Sequence, residues 1–288
     1  MRVTLDSINC CIREDAESFI ASSEKSYSEK ITQVAEKIAG ENGRTLVMLA
    51  GPSGSGKTTT VGAVASCLAS RGHRTLCIDC DVGLKNLDLN LGLTGISLVD
   101  FTDVLDGKIE LGEAVTAHPE IENLYFLSAP TNISPEDIDT GKMAELAAKA
   151  REEYEFTFID APAGIGPGFR LAVTGADMAV VVATGDAAGL RDAQRTVAEL
   201  RSRGMENVRL VINRLSRKFY NKLQNTIDDV IDMVGSRIIG VVSEEEDVML
   251  AGSKETPLVL CDSNPAMRQL NRISFRIEGF DVPLGKIK

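Results

Sequence analysis

The sequence predicts an α/β fold, a doubly wound and mostly parallel sheet with helices on both faces, preceded by a short helical extension. From residue 44 onward, short apolar runs alternate with stretches of helical periodicity, and near-continuous apolar strands are typical of a parallel sheet buried on both faces. The informative polar residues come directly after these runs, at the strand ends where ligands of such sheets bind. These two observations predict both the fold class and the place of the site.

Each predicted strand is a short, mostly apolar run, and these runs cover residues 45–50, 75–79, 124–129, 156–161, 178–184, 208–213 and 237–242. The predicted helices carry apolar residues at three- and four-residue spacing. They cover residues 57–70, 142–153, 188–203 and 219–234. Because strands and helices alternate, neighbouring strands are expected to run parallel.

Residues 1–43 are predicted to form a helical N-terminal extension, and residues 44–288 the main domain. Apolar residues of the extension recur at the spacing of one helical face, at Ile31, Val34, Ala35 and Ile38. Gly40 and Gly43 are expected to end this helix. A helix packed on the main domain and a separate binding arm are both open at this point.

The composition excludes several classes of protein. Of 288 residues, 43% are hydrophobic and 25% are charged, which are ordinary values for a folded protein. The net charge of −11 argues against non-specific coating of nucleic acid, so we expect no nucleic-acid partner. No apolar run approaches the roughly 20 residues that span a bilayer, and the N-terminus lacks the apolar stretch of an export signal. The six cysteines are therefore expected to be reduced thiols in the cytoplasm.

A phosphate-binding loop follows the first predicted strand and opens the first predicted helix. Residues 51–58 read GPSGSGKT and match the G-x-x-x-x-G-K-[ST] motif in the context that it requires. Glycines let consecutive backbone N–H groups surround phosphate oxygens. Lys57 is expected to reach the β- and γ-phosphates, and the Thr58 hydroxyl to coordinate Mg²⁺. The nucleotide-binding residues predicted here are Gly51, Pro52, Ser53, Gly54, Ser55, Gly56, Lys57, Thr58 and Thr59.

Three aspartates end neighbouring predicted strands, where a magnesium ion and an attacking water would need carboxylates. Asp160 ends the apolar strand FTFID, which is the position of a Walker B acid. Asp79 and Asp81 lie at the end of the strand TLCID. One of these two is expected to bind the water shell of the metal and the other to position the attacking water, although strand-end aspartates also form turns.

The segment after the second predicted strand reads DCDVGLKNLDL over residues 79–89 and resembles the MinD/ParA family of ATPases, which places a D-x-D-x-G-x-x-N-L-D segment there. The resemblance continues through residues 98–115, 122–130, 158–168, 210–215 and 257–284. It covers the chain from Arg44 to Leu284, and the combination is more specific than the phosphate-binding loop alone.

The resemblance implies a P-loop NTPase fold and an ATPase that dimerises around Mg²⁺-ATP and uses hydrolysis as a timer. Such proteins act in cell division site selection, partitioning or positioning, so the implied partners are a second copy and an unidentified regulatory protein.

The resemblance also implies a role for each matching residue. Lys57 and Thr58 keep their roles at the phosphates and at Mg²⁺. Asp81 corresponds to the aspartate that orients the hydrolytic water, and Asp79 to the acid before it. Asp160 corresponds to the Walker B acid beside Mg²⁺, and Asn213 to the asparagine that hydrogen-bonds adenine.

Two departures from the family pattern matter. Pro52 replaces a signature lysine that reaches the phosphates of the partner subunit, so slow hydrolysis or weaker dimerisation is expected unless another basic side chain substitutes. The membrane-binding members continue beyond the equivalent of Leu284 into an amphipathic helix, whereas residues 285–288 are too short for one. The preceding helix is expected to pack its apolar face on the sheet, through Met267, Leu270, Ile273 and Ile277. We therefore expect no direct membrane binding.

Three other functions remain open. The segment AGPSGSGKTT also resembles the loop of uridine kinase-like enzymes, although no arginine-rich lid is evident. A signal-recognition-type GTPase shares GKTTT, but its D-T-A-G-R and T-K-x-D segments are replaced here by DAPAG at residues 160–164 and INRL at residues 212–215. A nucleotide-binding scaffold that hardly hydrolyses ATP is the third, because Pro52 supplies no charge.

Overall fold

The computed structural model describes residues 44–96, 99–216 and 226–284. The predicted extension over residues 1–43 lies outside the described residues, as do the first part of the helix predicted over 219–234 and the end of the chain at 285–288. The division of the chain after residue 43 therefore stays a prediction.

The strands of the described ranges are β1 Thr45–Ala50, β2 Thr75–Asp79, β3 Thr116–Ala117, β4 Leu124–Leu127, β5 Phe156–Asp160, β6 Met178–Thr184, β7 Val208–Leu215 and β8 Arg237–Ser243. The α-helices are α1 Lys57–Ser70, α2 Leu87–Leu91, α3 Phe101–Leu105, α4 Leu111–Ala114, α5 Thr140–Glu153, α6 Pro167–Val173, α7 Ala187–Ser202, α8 Ile227–Val234, α9 Glu246–Ser253 and α10 Pro265–Ile277. Short 3₁₀ helices occupy Pro135–Asp137 and Leu258–Leu260.

These strands form a single sheet in the order β3-β4-β2-β5-β1-β6-β7-β8. All described strand pairs are parallel except β3 with β4, which confirms the doubly wound fold. The two-residue edge strand β3 was not predicted, because a run that short carries no periodicity. β1 lies between β5 and β6, so the strand order changes direction there and opens a crevice beyond its carboxyl end.

The register of the central strands brings the predicted acids level with the phosphate-binding loop. Asp160 pairs with Leu49 of β1 on one side and with Asp79 of β2 on the other. The ends of β1, β2 and β5 therefore meet at one edge of the sheet, directly below the loop that leaves β1.

Burial explains why these strands read as continuous apolar runs. Every residue of β1, β2 and β5 is buried, so both faces of the central sheet are covered. As predicted, the apolar face of α10 packs inward, with Met267, Leu270, Ile273 and Ile277 at most 8% exposed. Across the described ranges, none of the helices has the length and apolar character needed to cross a bilayer.

Candidate active site

The loop at residues 51–56 needs glycine where it touches neighbouring strands. Gly51 has a φ of 144°, and a Cβ there would lie 2.1 Å from the carbonyl oxygen of Val182 in β6. Gly56 has a φ of 84° and precedes α1, and its Cβ would lie 2.3 Å from Nδ2 of Asn213. Both positions combine a left-handed backbone with a close approach that only glycine allows. The loop is therefore held tightly against β6 and β7.

Lys57 is the buried cation of the site. It is 8% exposed, and its Nζ donates a hydrogen bond to the carbonyl oxygen of Pro52 at 3.2 Å. Burial lowers the pKa of Lys57, while the nearby carboxylates of Asp160 and Asp81 raise it. Lys57 therefore lies close enough to Asp81 and Asp160 for their charges to shift its pKa.

Asp160 carries a carboxylate oxygen that the surrounding protein leaves without a partner. The residue is 2% exposed, and the Thr58 hydroxyl donates a hydrogen bond to its carboxylate. Its Oδ1 has no hydrogen-bond partner among the described residues. Burial, reinforced by the charge of Asp79, raises the pKa of Asp160 to about 7. An unpartnered buried oxygen of this kind suits a bound cation.

The oxygen donors at this point fit Mg²⁺ rather than a closed protein cage. Mg²⁺ prefers oxygen ligands and is commonly held by one or two protein side chains together with phosphates and waters. Thr58 and Asp160 supply such a pair. Within the ranges that the structure covers, no group of three or more His, Cys, Asp or Glu side chains is arranged to hold a metal by itself, so a phosphate would have to complete the site.

The carboxylate of Asp79 accepts hydrogen bonds from the backbone of the next loop. It is fully buried; its Oδ1 accepts a hydrogen bond from the N–H of Asp81 at 2.8 Å, and its Oδ2 accepts from those of Asn86 and Leu87 at 3.3 Å each. Burial raises its pKa to about 6, against the effect of these hydrogen bonds. Asp79 thus shapes the segment that carries Asp81, and its place in a metal's water shell stays a prediction.

Asp81 stands at the open side of the cluster. It is partly exposed, and burial raises the pKa of its carboxyl group while the charge of Lys57 lowers it. Its carbonyl oxygen accepts hydrogen bonds from the N–H groups of Leu84 and Lys85, which form a turn behind it. The side chain is therefore held near Lys57 and within reach of solvent.

Asn213 joins β7 to the phosphate-binding loop. It is 8% exposed, and its Nδ2 donates a hydrogen bond to the carbonyl oxygen of Ser55 at 2.8 Å. Its side-chain oxygen is the atom left to accept a hydrogen bond from the amino group of a base, so the predicted adenine contact remains a prediction that the geometry permits.

Arg214 is a residue of this site that sequence reasoning missed. Its φ of 56° is unusual for a residue with a side chain. The guanidinium donates a hydrogen bond to the carbonyl oxygen of Gly54 and pairs with Glu244, both at 3.3 Å. It therefore links the phosphate-binding loop to the segment after β8, and no spacing in the sequence indicates that link.

Comparisons with known proteins agree with this geometry. The sequence model of the CobQ/CobB/MinD/ParA nucleotide binding domain matches residues 46–258. A putative septum site-determining protein MinD of Emiliania huxleyi is 36% identical over 232 residues, which are 79% of this chain and 85% of that protein. The septum site-determining protein MinD of Bacillus subtilis is 32% identical over 251 residues, covering 84% and 91% of the two chains. Among solved structures, a MinC:MinD cell division protein complex of Aquifex aeolicus superposes with a TM-score of 0.78 at 28% identity, covering 84% of this chain and 98% of that one.

Proposed function

The chain belongs to the CobQ/CobB/MinD/ParA family of nucleotide-binding domains, and from this membership we propose that it is a Mg²⁺-ATP-dependent switch ATPase that acts in cell division site selection. The observation that carries the proposal is the meeting of Lys57, Asp81 and Asp160 at the carboxyl ends of β1, β2 and β5. That arrangement places one cation and two acids around a loop built to surround phosphates.

Nucleotide binding follows from the phosphate-binding loop and the polar side chains beside it. The backbone N–H groups of residues 53–58 and the ammonium of Lys57 would hold the β- and γ-phosphates at the start of α1, where the helix dipole favours an anion. Thr58 and Asp160 would hold Mg²⁺, which supplies charge neutralisation between the two phosphates when bound. Asn213 would accept a hydrogen bond from adenine.

Hydrolysis requires a water held in line with the terminal phosphate. We propose that Asp81 orients this water, because its side chain is near Lys57 and still partly exposed. Asp79 keeps that loop in position through its hydrogen bonds to the backbone. Pro52 offers no cation, so we propose that turnover is slow.

A homodimer is the second part of the proposal. Large apolar side chains stand exposed on the loops around the site: Leu84 is 71% exposed, Ile165 39% and Ile133 37%. The Leu84 and Ile133 loops are tied together, because the N–H of Gly83 donates to the carbonyl oxygen of Pro130 at 3.2 Å. Exposed apolar residues clustered at a nucleotide site suit contact with a second copy that closes over the phosphates.

A regulatory protein and a cytoplasmic location complete the proposal. The Aquifex aeolicus neighbour is a MinC:MinD complex, which supports a protein partner of that regulatory kind for this chain. We propose a cytoplasmic location, a reducing compartment in which the free thiols of Cys67, Cys77, Cys80 and Cys261 would stay reduced. We also propose that the protein does not bind lipid by itself, because the apolar face of α10 is already buried. Sedimentation with anionic liposomes in ATP and in ADP tests this, and co-pelleting would contradict it.

The central test combines nucleotide binding, turnover and mass. We expect Mg²⁺-ATP to bind in preference to GTP and to be hydrolysed slowly, and Lys57→Ala to weaken ATP binding at least about tenfold, which is about 1.4 kcal/mol. Lys149→Ala, an exposed lysine paired with Glu110 at the surface, is the matched control. Light scattering of the Asp81→Ala variant should show a larger mass in ATP than in ADP. Equal ATP affinity in Lys57→Ala, or rapid transfer to a nucleoside, would contradict the proposal.

A further inference from the structure

A cavity of about 230 Å³ opens beside the phosphate-binding loop. One wall is the loop itself, at Gly51, Pro52 and Ser53, and a second is the segment that follows Asp160, at Gly164 and Ile165. The cavity thus adjoins both the loop that would hold the phosphates and the segment beyond the acid that would hold Mg²⁺. The Nζ of Lys57 donates a hydrogen bond to the carbonyl oxygen of Pro52, a residue of the first wall, so a terminal phosphoryl group held by Lys57 is expected beside this space.

The third wall is the middle of α7, which contributes Asp192, Arg195 and Thr196. Asp186 fixes the start of this helix, since its carboxylate accepts hydrogen bonds from the N–H groups of Ala188 and Gly189 at 3.1 and 3.0 Å. Thr196 is 5% exposed and donates its hydroxyl to the carbonyl oxygen of Asp192. Arg195 is exposed. In the described part of the chain it forms no salt bridge.

The charge balance of the site favours a second cation at this cavity. Asp81 and Asp160 lie near Lys57, and Asp79 adds a third carboxylate beside Asp160, so the cluster is acidic before any nucleotide enters it. A triphosphate brings further negative charge, of which Mg²⁺ neutralises only part. In phosphoryl transfer, an additional arginine at the terminal phosphate is a recurrent source of transition-state stabilisation. Pro52 cannot fill that role, and Arg195 shares a cavity with Pro52.

We propose that Arg195 is a catalytic residue that binds the terminal phosphoryl group of ATP in its own subunit, through the cavity beside Pro52. This inference rests on the proposed function. In hydrolysis, the water oxygen forms a bond to the γ-phosphorus while the bond to the β,γ-bridging oxygen breaks. ADP takes that electron pair, the inorganic phosphate keeps the water oxygen, and the proton passes to solvent. The guanidinium of Arg195 neutralises charge on the γ-phosphate oxygens during this step.

Asp192 offers a second test, because removing its negative charge should affect ATP binding in the opposite direction to removing the positive charge of Arg195. It lies three residues before Arg195 and lines the same cavity, so its carboxylate opposes an entering phosphate. Removing that charge should favour ATP over ADP, whereas removing the charge of Arg195 should do the reverse. A merely structural contribution of α7 would move both variants in the same direction.

The experiment measures kcat and the affinities for ATP and ADP in full-length variants, with the melting temperature as a check on folding. We expect Arg195→Ala to lower kcat about 100-fold and to weaken ATP roughly tenfold or more relative to ADP, with Arg195→Lys intermediate. Asp192→Asn should strengthen ATP relative to ADP. Arg191→Ala, an exposed arginine on the same helix outside the cavity wall, is the matched control and should match the wild type.

Several outcomes would overturn the inference. The first is wild-type kcat and wild-type ATP affinity in Arg195→Ala. The second is an equal loss of ATP and ADP affinity in that variant. The third is the same loss of kcat and ATP affinity in the control variant Arg191→Ala. Each of these would leave the proposed function standing, because that function is tested separately, by ATP turnover of the wild type and by the Lys57→Ala defect. A wild-type protein that neither binds nor hydrolyses ATP would contradict the proposed function, and this inference with it.

Discussion

The side-chain amide of Asn213 donates a hydrogen bond to the backbone carbonyl of Ser55 at 2.8 Å, and so joins the end of β7 to the phosphate-binding loop across 158 residues of chain. The contact is tight from the other side as well, because Gly56 leaves just enough room for the same amide nitrogen. The loop therefore depends on a neighbouring strand for its shape, and not only on its own glycines.

Loss of this hydrogen bond should destabilise the phosphate-binding loop and so weaken the binding of ATP and ADP alike. Asn213→Ala leaves a buried carbonyl without its donor, which costs about 1–3 kcal/mol. We expect a lower melting temperature and weaker binding of both ATP and ADP by calorimetry. Asn90→Ala is the matched control, since that amide donates to a backbone carbonyl at an exposed position. Unchanged stability and affinity in Asn213→Ala would show that the loop holds its shape without β7.

Removal of the Asp81 carboxylate should separate binding from hydrolysis. Positioning of the attacking water supplies much of the catalysis in phosphoryl transfer, and Asp79 rather than Asp81 holds the surrounding loop through hydrogen bonds. Asp81→Ala should therefore abolish phosphate release while ATP still binds. Asp137→Ala, an exposed acid on a 3₁₀ helix, is the control. If the two variants turned over ATP at equal rates, Asp81 would have no part in the chemistry.

The stability of the nucleotide-free protein should depend on pH through Asp160. Burial raises the pKa of this carboxyl from its ordinary 3.8 to about 7, so the folded state binds a proton that the unfolded state has released between these values. Stability therefore falls as pH rises through this window and levels off above it. Asp160→Asn cannot ionise. Its melting temperature should exceed that of the wild type by a margin that grows from pH 5.5 to pH 8, and a margin independent of pH would contradict the assignment.

The close approach of α10 to β8 should depend on the glycine at 240. A Cβ at Gly240 would lie 2.2 Å from Cγ1 of Ile273, which is buried at 1% exposure. Gly240→Ala should destabilise the protein by about 1–3 kcal/mol, as overpacking does. Gly252→Ala, in α9 with nothing within 4 Å of its Cβ, should be neutral or stabilising by up to about 1 kcal/mol. Equal denaturation midpoints for the two variants would show that α10 can shift.

The strands and the phosphate-binding loop could be predicted from the sequence because their requirements fall on residues that are close together along the chain. Strands such as β1 and β5 are buried along their whole length, and that burial leaves an uninterrupted apolar run. The phosphate-binding loop needs glycine at particular backbone angles, and that need appears directly as a motif. The strand-end position of Asp160 followed from the same pattern.

Tertiary structure decided which partners these residues have. Both carboxylate oxygens of Asp79 accept hydrogen bonds from backbone N–H groups, because the turn of the following loop brings those groups to it; its place in a metal's water shell stays a prediction. Arg214 and Arg195 read as ordinary surface arginines in the sequence, but the fold sets one against Gly54 and the other in the cavity beside Pro52. Periodicity and spacing report only what neighbouring residues along the chain require, whereas contacts between β7, α7 and the loop after β1 depend on how the parallel sheet stacks these segments side by side.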